Sequence, residues 1–207
     1  MSILDRIILL LTGLIAIVAI GVLGKRLKAK EVGADALFCI VSFTVFLVAG
    51  LLLIIFGWGA LKNNFVAVVA GLIPFSLASG LVKRFHPKAA AAYIVLLVIG
   101  LALLTVTRYG NMPAARIVYP VFHAIAGITI VILPLLAVKS GKVNSMFSLV
   151  ALGGALISTG GVALAFLTAG KQLLFFSQEV VLLILAPLLF LTALCFALGL
   201  LKGNLSE

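Results

Sequence analysis

Long apolar blocks recur along the whole chain, each closed by a charged or Gly/Asn/Pro-rich interruption. A hydrocarbon layer about 30 Å thick needs roughly 20 apolar residues per helical crossing. Seven blocks have that length, over about 7–24, 36–58, 65–82, 90–107, 116–138, 145–169 and 173–201. The interruptions are distinct: "KRLKAK" follows the first block, Trp58 ends the second, "KRFHPK" stops the third and "RYGNMPAAR" turns the fourth. Apolar residues run continuously within each block instead of alternating, which selects helices over barrel strands. The pattern therefore predicts an all-α fold, a polytopic integral membrane bundle of seven transmembrane helices in a single transmembrane domain over 1–207. The short connections at 138–145 and 169–173 predict that the fifth, sixth and seventh helices are antiparallel neighbours. The first block precedes its basic cluster and carries no small-residue cleavage site, so it reads as a retained span rather than a signal peptide.

Composition agrees with a chain whose solvent is lipid: 65% of residues are hydrophobic and 10% charged, against about a quarter charged in soluble domains. Charge then sets direction. Alternate spans place Lys25, Arg26, Lys28, Lys30, Lys83, Arg84, Lys88, Lys139, Lys142 and Lys202 on one side, and Arg6, Lys62, Arg108, Arg116 and Lys171 on the other. The richer side is expected to be cytoplasmic, with the N-terminus outside and the C-terminus inside. This reading suits a prokaryotic plasma membrane. The net charge of +10 is mostly this asymmetry, and the basic clusters can attract anionic lipid on the cytoplasmic face. A nucleic-acid partner is not expected, because no polar stretch is long enough to fold into a basic surface. "NLS" at 204–206 falls on the inner side, where its glycosylation pattern has no use. Cys39 and Cys195 are too far apart in sequence for a metal-ligand pair and read as packing residues.

Ionisable groups at membrane depth are costly and so mark candidate function. The span boundaries leave two: His123, about seven residues into the fifth span, and Glu179, about seven into the seventh. Arg116, Tyr119, His123 and Gly127 share one face of their helix, and Gln172, Phe175, Phe176 and Glu179 share one of theirs. If those faces meet, His123 and Glu179 share a proton or an ion pair near the outer surface, with Arg108 and Arg116 above. Phe175 and Phe176 would then wall a quinone-like ring. The candidate site for a quinone, proton or other ligand is accordingly His123, Glu179, Tyr119 and Arg116. The bland alternative is that the pair only pins two helices. "HAIAG" has the H-x-x-x-G spacing of haem-binding helices in membrane b-type cytochromes, but the second histidine, His86, lies near the opposite boundary. Haem at His123 is therefore not expected. The seventh span has no lysine for a retinal linkage.

Pro74, Pro134 and Pro187 should kink their helices, but no polar cluster accompanies them, so they do not announce a transport path. The sixth span is rich in small residues at four-residue spacing, Ala151/Ala155/Thr159/Ala163 and Gly161/Ala165/Ala169 among them. Such a helix forms the packed centre of a bundle or a contact for other membrane subunits. One histidine and one glutamate do not make a nucleophile–base pair or a metal cluster, so the chain is not expected to be an enzyme on its own. The function that fits is a non-catalytic integral membrane subunit of a larger complex, of an energy-converting or respiratory kind, bordering a quinone- or proton-handling site. The alternative is a small-solute or ion transporter or channel.

Overall fold

The computed structural model describes residues 1–168 and 177–203, with side chains except those of 164–168. Seven helices appear: α1 (Ile3–Lys28), α2 (Asp35–Phe56), α3 (Asn64–Phe85), α4 (Pro87–Tyr109), α5 (Ala115–Lys139), α6 (Ser148–Thr168) and α7 (Gln178–Lys202). Short 3-10 segments at Gly57–Lys62 and Ser145–Phe147 extend the chain after α2 and before α6. All seven crossings are long and apolar enough to span a membrane, and no strand occurs among the described residues. The polar endings predicted from sequence fall within a few residues of the observed ends, with α7 the exception.

Local chemistry explains the ends. Ser2 and Asp5 form a reciprocal capping box at the start of α1, the Asn63 side chain caps α3, and Pro87 opens α4 where its missing N–H costs nothing. α1, α4 and α5 end alike, with a left-handed residue just past the helix: Lys30, Asn111 and Gly141. At each, the next residue's N–H returns to a carbonyl in the last turn: Glu31 to Arg26, Met112 to Thr107, Lys142 to Ala137. These Schellman turns satisfy carbonyls that would otherwise point unpaired into the headgroup region.

Six helices close a ring through the contacts α1–α2, α2–α3, α3–α5, α5–α6, α6–α7 and α7–α1, and α4 lies outside in the groove between α3 and α5. α3 is the most enclosed helix and α4 the least. The predicted neighbourhood of the fifth, sixth and seventh helices is observed. Phe46 of α2 meets Phe196 of α7 edge to face at 6.3 Å, joining the two helices that flank α1. The ring is also tied at one end, where Arg26 donates to the Leu201 carbonyl at 2.9 Å and the Asn144 side chain to that of Lys202 at 2.8 Å. α1 and α7 thus finish at the same end, and the ten lysines and arginines counted on the richer side gather there. We call it the basic end, and the other the N-terminal end; Lys171, assigned there by sequence, lies outside the described residues.

Close approach depends on glycine notches. A methyl group added to Gly154 would come within 2.6 Å of Ile130 on α5, and one on Gly153 within 2.6 Å of Phe196 on α7. Gly160 faces Leu188 and Gly199 faces Val150, continuing the α6–α7 seam, while Gly100 of α4 receives the Phe122 ring of α5. The sixth helix is the packed small-residue helix the sequence suggests, but its contacts run through glycines. Of the alanine-rich row, Ala151 and Ala163 are buried whereas Ala155 and Thr159 face outward with Leu152 and Val162. Ala165 and Ala169 fall outside the described side chains.

Candidate functional site

α5 presents Tyr119, His123, Gly127 and Ile130 on one side, and that side meets α6. His123 points into the protein as its helical face predicts, with 4% of its surface exposed. Its ring fills the notch at Gly161, where an added methyl group would overlap Nε2. One turn on, Gly127 accepts Ser158, whose Cβ would lie 3.3 Å from a Cβ at 127, and the next turn seats Ile130 in Gly154. The register is antiparallel: 123 with 161, 127 with 158, 130 with 154.

Toward the N-terminal end the stack continues. The Tyr119 ring lies 5.3 Å from the imidazole at 29°, and the Arg108 guanidinium stands 5.9 Å from the Tyr119 ring centre. Beyond it opens a cavity of about 260 Å³ lined by Asn64, Thr107, Arg108, Asn111, Met112 and Arg116 among others. The Schellman turn at Asn111 shapes its rim, and the Asn64 side chain anchors it by donating to the Arg108 carbonyl at 3.1 Å. Arg116 is exposed there, at the start of α5.

What distinguishes His123 is that it has no hydrogen-bond partner among the described residues. Neither ring nitrogen makes a hydrogen bond, although the Ile157 carbonyl stands nearby on α6. The Nε of Arg108 and the Ser158 hydroxyl are also buried without a partner. The buried hydroxyls elsewhere behave differently. Thr12, Ser42, Ser79 and Thr107 each donate to a backbone carbonyl at 2.7–2.9 Å, as Ser76 does to Leu72; among the described buried hydroxyls, Ser158 and Thr192 make no bond. An unpaired buried polar group costs about 1–3 kcal/mol. Among the described residues, three of the four that carry such groups flank or lie on α5, Arg108 of α4, His123 of α5 and Ser158 of α6, and the fourth, Thr192, is on α7.

The expected partnership of His123 with Glu179 is not formed. Ser177 caps α7 by accepting from the Val180 N–H at 3.3 Å, so the helix starts at Gln178 and Glu179 stands in its first turn. It is exposed there, where a carboxylate complements the positive helix terminus. His123 lies eight residues into α5, about 12 Å along its axis, and faces α6 instead of α7. The two side chains are therefore apart: the imidazole is turned onto α6 without a bond, and the carboxylate stands exposed in the first turn of α7. Gln172, Phe175 and Phe176, the proposed remainder of the α7 face, lie outside the described residues. His86 is exposed at the α3–α4 junction of the basic end, at the other end of the bundle from the imidazole.

Sequence reasoning passed over two local signals. Ser177 and Glu179, a cap followed by an acid in the first turn, are a helix-start signal. Pro120 lies inside α5 between Arg116 and His123. It has no N–H to offer the Arg116 carbonyl, so one backbone acceptor beside the cavity loses its helical donor.

The packing of His123 on Gly161 is open to a double-mutant cycle. Gly161→Ala should destabilise the chain by about 1–3 kcal/mol, because the new methyl group collides with the imidazole. In a His123→Ala background the same substitution should cost much less, and thermal unfolding in detergent reads the coupling. Equal costs in both backgrounds would remove His123 from that notch.

Comparison with protein families, characterised proteins and solved structures returned no match.

Proposed function

We propose that this chain is a non-catalytic integral membrane subunit of a larger, energy-converting assembly, with a head-group site for a quinone-like ligand along Arg108, Tyr119 and His123. The observation that carries the reading is the buried imidazole with neither nitrogen bonded. Among the described residues no group completes a hydrogen bond to either nitrogen, and a buried polar group in that state favours a partner from outside. Neutral imidazole offers one N–H and one acceptor nitrogen. A quinone presents carbonyl oxygens to the first, and a quinol presents a hydroxyl to the second. Arg116 and the cavity above would receive the polar edge, and Ile117 and Val121, 69% and 47% exposed, offer an apolar flank for an isoprenoid tail. Glu179 enters this reading only as a rim charge at the same end.

A transporter needs a polar path through the bundle. The described buried hydroxyls that could line one are, Ser158 and Thr192 apart, turned back onto backbone carbonyls, which favours the subunit. The partner subunit is assigned to the outward Ala155–Thr159 side of α6, where small side chains allow a second helix to approach. The lysine and arginine count supports a cytoplasmic basic end, with the candidate site then near the outer face.

Two measurements test this. Gentle extraction from native membranes should yield the chain with stoichiometric partner subunits and bound quinone. Ala155→Leu should strip the partners while leaving the chain folded, and His123→Leu or Arg108→Gln should weaken quinone binding by about tenfold, the loss of about one hydrogen bond. Purification as a quinone-free single chain would refute the proposal. For direction, in a chain with Cys39 and Cys195 replaced by alanine, an impermeant thiol reagent applied to whole cells should label Ile3→Cys and spare Lys30→Cys. The opposite pattern would invert the topology.

A further inference from the structure

The basic end carries a second recess that the proposed site does not use. It lies between the α3–α4 junction and the end of α5, with a volume of about 500 Å³. Lys139, Lys142 and His86 line its polar side, and Leu133 and Leu136 lie on its apolar side. The two lysines are brought together by the backbone. Gly141 adopts φ 70°, and the Lys142 N–H turns back to the Ala137 carbonyl at 3.0 Å. The chain thereby reverses at the end of α5 and returns Lys142 to the level of Lys139. No acidic residue lines the recess. Leu136 is 53% exposed, so the apolar side opens onto the lipid-facing surface.

We infer that this recess holds one anionic phospholipid, with its phosphate between Lys139 and Lys142 and an acyl chain along Leu133 and Leu136. The order of groups matches a lipid standing in its own leaflet: ammonium groups and the His86 ring at the helix ends, leucines one to two turns deeper. The two lysines provide the charge that selects an anionic head group, and His86 supplies a further ring nitrogen. A soluble phosphate ester would meet the same lysines but leave the leucines unused, so the apolar side favours the lipid. The assignment does not depend on which end is cytoplasmic.

Native mass spectrometry of the full chain, released from bilayers of phosphatidylglycerol and phosphatidylcholine, tests it. The wild type should retain one phosphatidylglycerol that Lys139→Gln/Lys142→Gln does not, with affinity lower by about thirtyfold in the variant. Both lysines are exposed, so the variant should melt like the wild type. Lys25→Gln/Lys28→Gln removes the same charge from the same end and should keep the lipid. Millimolar glycerol phosphate should not displace it, and Leu136→Asn should weaken it. Equal loss in both double variants would mean diffuse attraction to a basic surface, and displacement by glycerol phosphate would mean a site for a soluble anion. Either result overturns the inference.

Discussion

In lipid, apolar side chains gain nothing by leaving their solvent for one another, so helices associate where shapes let them come close. The seam between α5 and α6 shows how this chain meets that constraint. At three successive turns a bulky or polar group on one helix enters a notch on the other: His123 at Gly161, Ser158 at Gly127, Ile130 at Gly154. α6 is notched on its other side as well, with Gly153 and Gly160 facing Phe196 and Leu188 of α7. One helix with glycines toward both neighbours holds the α5 and α7 sides of the ring together. The closest backbone approach on the α5 side falls at Ile130, whose carbonyl receives no helical N–H because Pro134 stands four residues later.

Unpaired polar groups gather beside the same seam. Hydroxyls on α1, α2, α3 and α4 are absorbed by backbone carbonyls, most of them on their own helix, which is the cheapest arrangement where water is absent. His123 makes no such bond, and the neighbouring helix receives its ring in the Gly161 notch. Packing therefore accommodates the ring without satisfying it. The Arg108–Tyr119–His123 stack runs from the cavity at the N-terminal end toward that unsatisfied ring, which is why the proposed ligand is placed there and not at the centre of the bundle.

The seven crossings were legible because lipid thickness imposes their length and every gap between them carries charge, glycine, asparagine or proline. The inward direction of His123 was legible too, from helical periodicity within α5. Its partner was not. Periodicity gives the face of one helix but not which neighbour meets it, and the closed ring puts α6 beside α5. The placement of Glu179 failed for a local reason: the apolar "LLFF" before Ser177 looked like the start of the span, and a five-residue error in a helix start is about 8 Å of depth. On α6 the four-residue rows of small residues identified a packing helix, yet alanine and glycine rows are equivalent in such a pattern. Only glycine is deep enough to take a side chain from another helix, so the glycines turned inward and Ala155 and Thr159 turned out.

The central claim is that the histidine face of α5 is closed against α6. Disulfide trapping tests it most directly, in a chain with Cys39 and Cys195 replaced by alanine. Gly127→Cys/Ser158→Cys brings Cβ positions within 3.3 Å, close to the separation of about 3.5–4.5 Å that a disulfide spans. This pair should oxidise readily in the membrane and lose both free thiols. His123→Cys/Glu179→Cys should stay reduced under the same oxidant. Closure of the second pair without the first would place α5 against α7 and contradict the account.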